Sequence, residues 1–194
     1  MFHRLLFPIL LIATILTAVG CSAALFKVKP VTELPPLPST AKSADAGGVT
    51  LRVAPLLNDD EVQELFEANL LVNGILPIRL ELSYGSGVPV EIRQARFRLR
   101  DSQGREWKLL SPKKTVSRIL KANGVTLYNP HSRAQFEKEF TAYALDLKTP
   151  LSSAVPRQQG FLFFQSPDKS PIESQQKLTL TVERLPQTAS IDLN

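Results

Sequence analysis

Few residues in this sequence of 194 could carry chemistry. Cysteine occurs once, at Cys21, and histidine occurs at His3 and His131. A serine triad would need His131, which lies in the loop-like stretch "NPHS", as its base. A zinc site needs three or four His, Cys or carboxylate ligands, and the sequence has no G-x-S-x-G elbow and no Walker A loop. We therefore predict a protein that is not an enzyme and has no cofactor or metal, with a hydrolase using His131 as an alternative.

Carboxylates cluster at Asp59, Asp60 and Glu61. Asn58 precedes them as a candidate helix N-cap, with Glu61 as its capping-box partner. Acidic side chains in the first turn of a helix interact favourably with the helix dipole. We interpret the cluster as the start of a helix rather than as a calcium or glycosidase site.

The strongest candidate for binding is a group of five arginines, which we call the arginine row: Arg93, Arg96, Arg98, Arg100 and Arg105. In a strand, alternation would place three of them on one face, opposite Phe97 and Leu99. Guanidinium groups form paired hydrogen bonds with phosphate or carboxylate. The row could therefore contact anionic lipid headgroups, lipid A phosphates, a glycan or a protein, or it could be a solvated face paired with Glu91 and Glu106.

The sequence of the N-terminus predicts an export signal. A short segment ending at Arg4 precedes "LLFPILLIATILTAV", which contains no charge. This arrangement is typical of a secretory signal sequence. An uncharged stretch of 22 residues from Leu5 to Phe26 leaves an uncleaved anchor helix as an alternative.

The sequence "AVGC" at the end of this segment resembles the lipobox of bacterial lipoproteins. The resemblance implies that a lipid is attached to the sulfur of Cys21 and that the chain is cut just before it. Ser22, rather than Asp, after the cysteine implies the outer membrane rather than the inner one. Lipidation would leave the exported part without a thiol, so we expect no disulfide there.

Composition and charge indicate a folded domain without nucleic-acid binding. The chain is 43% hydrophobic and 21% charged, which suits a globular core. A net charge of +5 without Lys or Arg runs does not indicate a polyanion partner.

We predict four parts in the chain: a signal peptide at 1–20, a lipidated and flexible Pro-rich tether at 21–48, a β domain at 49–186, and a tail at 187–194. The tether has the composition of a linker and no periodicity. Extended at about 3.1 Å per residue, it would hold the domain up to roughly 80 Å from the bilayer.

Within the domain, alternation predicts a first strand from Val49, a half-buried strand at 78–84, and further strands through 88–99, 107–109 and 178–182. A change of parity near Arg93 and Gln94 predicts a bulge. "GFLFF" predicts a strand covered on both sides. We expect helices at 58–68 and 111–123, irregular chain at 125–135, and a helix rather than a strand at 136–147.

About seven short strands with turn signals predict a mostly β fold, an immunoglobulin-like antiparallel β-sandwich with two or three short helices. The order of "NGILPI", a turn, a long strand, "GFLFF" and "LTLTV" resembles uncharacterised bacterial envelope lipoproteins with an immunoglobulin-like domain. The resemblance spans roughly residues 50–185 and implies no active site. We expect a periplasm-facing module that binds an envelope protein or a cell-wall component.

Overall fold

The computed structural model describes residue 26 and residues 28–125, 129–173 and 177–193. Cys21, His3 and the predicted signal sequence lie outside the described residues. The strands are β1 (Lys42–Asp45), β2 (Val49–Pro55), β3 (Ile75–Tyr84), β4 (Arg96–Asp101), β5 (Glu106–Leu110), β6 (Arg157–Gln165), β7 (Leu178–Glu183) and β8 (Ala189–Asp192). The α-helices are α1 (Asp59–Phe66), α2 (Pro112–Ala122) and α3 (Pro130–Tyr143), and short 3-10 turns occur at Val31–Glu33 and Ile92–Gln94.

The eight strands form one sheet in the order β1-β2-β3-β6-β5-β4-β7-β8, and all pairings are antiparallel. The edge strands β1 and β8 lie next to each other, and the N–H of Gln187 donates to the carbonyl of Ala46 at 3.1 Å. The sheet is therefore nearly closed, like a barrel. The mostly β prediction is confirmed, whereas the immunoglobulin-like sandwich is not.

The inner face of the sheet is apolar because alternate residues of its strands point to the same side. Leu51, Leu80, Leu99, Leu180 and Ile191 are all buried on this face. The alternation predicted for β7 is confirmed, since Leu178, Leu180 and Val182 are buried and the residues between them are not. This core holds the two ends of the sheet together.

Part of the outer face is covered by the helices through a cluster of aromatic rings. Phe66 of α1 has its ring centroid 5.6 Å from that of Phe161 and 5.8 Å from that of Phe163, both in β6. Phe140 and Tyr143 of α3 contact the same two rings. The prediction that "GFLFF" is covered on both sides is therefore confirmed.

The predicted helix starts are confirmed for α1 and α2. The Asn58 side chain accepts a hydrogen bond from the N–H of Glu61, and the Ser111 side chain accepts one from the N–H of Lys114. Pro112 occupies the first turn of α2, where a missing N–H costs little. The helix favoured for 136–147 is also confirmed, although α3 ends at Tyr143.

Residues 28–48 do not form the flexible tether that the sequence predicted. Val28, Leu37 and Ala46 are buried, and β1 pairs along β2. We call residues 28–41 the strap, because this segment lies across α1, α3 and the outer face of the sheet. Its apolar side chains pack against the rest of the domain. A composition rich in Pro and Ser does not predict this packing.

Four further predictions differ from the structure. A 3-10 turn at Ile92–Gln94 replaces the predicted bulge and strand. The alternation of apolar residues therefore shifts by one because the turn interrupts the extended chain before β4. The segment predicted to be irregular contains the start of α3. The predicted tail contains β8, which completes the sheet. The strand at 78–84 begins at Ile75, and Ile75 to Leu82 are buried on both faces.

Among the described residues, the helices are too short or too polar to cross a bilayer.

Candidate functional site

The arginine row occupies the outer face of β4 and the turns that flank it. Arg96 and Arg100 are exposed and Arg98 is half-buried, while Phe97 and Leu99 between them are buried, as alternation predicts. Arg93 lies apart from them in the 3-10 turn before β4. The strand therefore brings three members of the row onto one face.

Carboxylates on neighbouring strands balance much of this charge. Arg98 lies 3.4 Å from Glu183 of β7 and 3.9 Å from Glu106 of β5. Arg100 lies 3.7 Å from the same Glu106. The predicted pairing with Glu106 is present, and Glu183 is a partner that the sequence analysis did not name. Exposed pairs of this kind contribute little to stability.

Arg105 is the most firmly paired member of the row. Its guanidinium lies 2.8 Å from Asp101 and 2.7 Å from Asp168. Burial alone would raise the pKa of Asp101, but hydrogen bonds from Arg105 and the N–H of Gln103 outweigh it and lower that pKa. Arg93 and Arg96 make no ion pair with any described residue.

The other candidates from the sequence do not come together into a site. His131 is exposed in the first turn of α3, where its N–H donates to the Asn129 side chain. The predicted loop at this position is therefore wrong, while a hydrolase role for His131 stays a prediction. The acidic cluster opens α1, and within the described residues no group of three or more His, Cys, Asp and Glu side chains is placed to hold a metal ion.

A second set of arginines lies beneath the strap, in a place that the sequence analysis missed. A cavity of about 480 Å³ opens between the strap and the outer face of β2, β3 and β6. We call it the arginine cavity; its polar lining comes from Arg52, Arg79, Glu81, Arg157 and Gln159. Its apolar wall is formed by Leu34, Pro35, Pro36 and Leu37 of the strap.

Strand register explains why these side chains meet. Arg52 of β2, Glu81 of β3 and Gln159 of β6 are directly opposite one another, so they point to the same face. Arg79 is two residues from Glu81 on the same strand and shares that face. Glu81 lies 3.5 Å from Arg52 and 3.9 Å from Arg157.

Arg79 is the most buried of these arginines, at 6% exposure. Its guanidinium donates to the Pro35 carbonyl at 2.5 Å and to the Gln159 side chain at 3.3 Å. Burial lowers the pKa of Arg79, and the charges of Glu81 and of Glu61 on α1 oppose that shift.

The strap is held over the sheet by several further contacts. Arg52 donates to the Pro38 carbonyl at 3.2 Å, and the Lys29 N–H donates to the Leu65 carbonyl at 3.0 Å. The Tyr143 hydroxyl donates to the Lys29 carbonyl. Burial and the nearby charge of Glu33 raise the pKa of Tyr143 to about 12.

Alternation around Arg79 and Glu81 predicted a solvated face, because polar residues at every second position usually point to water. The signal that could have revealed the cavity is the opposite charge of Arg52 and Glu81 on adjacent predicted strands. No local pattern marks Arg157 or the strap, since both reach the cavity through long-range packing.

Comparison with known protein families, curated proteins and solved structures finds no match to this chain.

Proposed function

We propose that the protein is a lipid-anchored, periplasm-facing protein of the bacterial cell envelope, more specifically of the outer membrane. Its β domain acts as a non-enzymatic module that binds another envelope protein or a cell-wall component. Support for the anchor comes from the lipobox-like sequence that ends at Cys21. One acyl chain gives marginal membrane binding, whereas two or three give a stable anchor.

The relation to immunoglobulin-like domains belongs to the same proposal. It is supported by the position of β5. The first residues of β5 pair with β4, and its last residues pair with β6. The strands on either side of β5 thereby fall into two groups, as in a sandwich.

The observation that carries the proposal is the short distance along the chain between Cys21 and the fold. Phe26 already stacks on Phe136 of α3, with ring centroids 5.3 Å apart. Five residue steps at 3.3–3.6 Å each span at most about 18 Å. A lipid on Cys21 would therefore hold the domain against the bilayer, so its partner would lie at the membrane surface.

Intact mass of the protein purified from membranes tests the anchor. We expect a chain that begins at Cys21 and carries added acyl mass, and we expect Cys21→Ser to lose that mass. Retention of Met1 in the wild-type chain would contradict lipidation and favour an uncleaved anchor helix.

The interaction role is tested by photo-crosslinking in intact cells. Val88 and Val72 are exposed apolar side chains, at 80% and 54%, so a crosslinker at either position leaves the buried core unchanged. If the domain binds a partner at the membrane surface, we expect a discrete crosslinked adduct with that partner, and we expect it to disappear in the Cys21→Ser variant. Adducts that are the same with and without the anchor would contradict a partner at the membrane surface.

A second candidate function is binding of anionic lipid or glycan by the arginine row. Arg93 and Arg96 favour it, because both are exposed and neither is paired with a described carboxylate. Replacing Arg96, Arg98 and Arg100 with Gln should then abolish salt-sensitive binding to anionic vesicles. Unchanged binding of the triple variant would contradict this candidate.

A further inference from the structure

The arginine cavity carries an excess of positive charge. Three guanidinium groups and one carboxylate line it, so two positive charges have no counter-charge in the lining. The strap contributes carbonyl oxygens and apolar side chains at this place, and Glu33 lies outside the lining. A buried or half-buried charge without a partner is costly, because the protein interior solvates it poorly.

Arg79 shows this imbalance most clearly. Its two hydrogen-bond acceptors are the neutral oxygens of Pro35 and Gln159, although it is buried. A guanidinium has five N–H donors. Donors of Arg79 therefore remain for a further acceptor at the floor of the cavity.

Arg52 and Arg157 are placed at the rim. Their side chains are 36% and 67% exposed, and both approach Glu81, which is 10% exposed. A single carboxylate shared at 3.5 and 3.9 Å leaves both guanidinium groups able to turn toward another anion. The rim and the floor thus present donors toward the same space.

We propose that the arginine cavity binds a small dianion, a phosphate monoester or a dicarboxylate, between Arg52, Arg79 and Arg157. Two acceptor groups or one doubly charged group would match the two positive charges that the lining holds in excess. The volume of about 480 Å³ lies within the range of small-molecule sites and exceeds the size of a bare ion. The body of the ligand would rest against Pro36 and Leu37. This site does not depend on lipidation of Cys21.

Isothermal titration calorimetry on the full-length chain in a non-ionic detergent tests the site. Glycerol phosphate and succinate are the two probes, and the stronger one identifies the phosphate or the carboxylate class. Acetate, with one charge, should bind more weakly than either. We expect Arg157→Gln and Arg52→Gln each to weaken binding by roughly tenfold, because each removes a charge-assisted hydrogen bond.

Arg98→Gln is the matched control, since it removes the same charge from the arginine row, outside the cavity. Equal weakening by Arg98→Gln and Arg157→Gln would show an unspecific charge effect and overturn the proposal. Absence of binding by both probes at about 10 mM, where even millimolar sites fill, would also overturn it. Because Arg157 is exposed, its variant should keep the wild-type melting temperature, which separates lost binding from lost folding.

Discussion

The arginine row and the arginine cavity place the same side chain in two different settings. In the row, Arg98 and Arg100 share the exposed carboxylate of Glu106, and Arg98 also lies beside the half-buried Glu183. In the cavity, Arg79 is buried beneath the strap and donates to neutral oxygens. Arg98, Arg100 and Arg105 of the row lie beside four carboxylates, whereas the three arginines of the cavity have one carboxylate, Glu81, in their lining. The difference arises from what covers each face and not from the local sequence, which alternates in both strands.

The largest expected effect tests the covered strand. Gly160 of β6 adjoins Gln159 of the cavity, and a Cβ there would lie 2.4 Å from the Leu145 nitrogen. Because a backbone atom must then move, Gly160→Ala should lower the free energy of unfolding by about 3 kcal/mol. Thr181→Ala, on the strand opposite Arg98, should change it by less than about 0.5 kcal/mol. Urea unfolding followed by fluorescence of the buried Trp107 measures both, and similar losses would contradict the close approach of the Leu145 backbone to β6.

The next effect compares one arginine from each setting. Arg79→Ala removes packing and two hydrogen bonds to the strap and β6, so we expect a loss of about 2 kcal/mol in the free energy of unfolding. Arg96→Ala removes an exposed side chain from the row and should cost less than about 0.5 kcal/mol. Thermal unfolding of the two variants gives the comparison. A smaller loss for Arg79 than for Arg96 would contradict the buried setting.

A smaller effect, of about 1 kcal/mol near neutral pH, is expected for Tyr143→Phe, which removes the hydrogen bond to Lys29. The pKa of Tyr143 is about 12 in the fold and about 10 in an unfolded chain, so the unfolded state loses its proton first. The contribution of Tyr143 is therefore complete below pH 10 and declines as the pH rises from about 10 to 12.

Urea unfolding of wild type and Tyr143→Phe across this pH interval measures the effect. The difference in stability between them should shrink as the pH rises. A difference that stays constant from pH 9 to 12, with both proteins folded, would contradict the buried hydroxyl.

The smallest effect belongs to the row. A double-mutant cycle of Arg98→Gln and Glu183→Gln should give a coupling energy of about 0.5 kcal/mol, because the pair is solvated. The coupling should weaken further in 1 M salt, where the screening length is about 3 Å. A coupling of several kcal/mol that salt does not change would place the row in a buried setting.

The features predicted correctly from the sequence depend on neighbouring residues. Asn58 and Ser111 begin helices because each side chain accepts from an N–H three residues later. Leu178, Leu180 and Val182 are buried because alternation follows directly from strand geometry. Such features need no information about distant parts of the chain.

The features that were missed depend on packing between distant segments. Arg79 and Glu81 alternate with apolar residues as in any half-solvated strand, and only the strap makes their face a covered one. Residues 28–48 have the composition of a linker, yet Val28 and Leu37 pack against residues far along the chain. The closing of β8 beside β1 likewise follows from long-range contacts. For the same reason, no local motif in the sequence predicts the arginine cavity.

Both the cavity and the short distance to Cys21 depend on the strap being part of the folded domain. Hydrogen exchange at the Lys29 amide, which donates to the Leu65 carbonyl at 3.0 Å, tests this most directly. We predict exchange at least about 100-fold slower than in an unstructured peptide, because the Lys29 amide reaches solvent only when the strap detaches from α1. Exchange at the rate of an unstructured peptide would show that residues 28–41 form a tether. The arginine cavity would then lack its apolar wall.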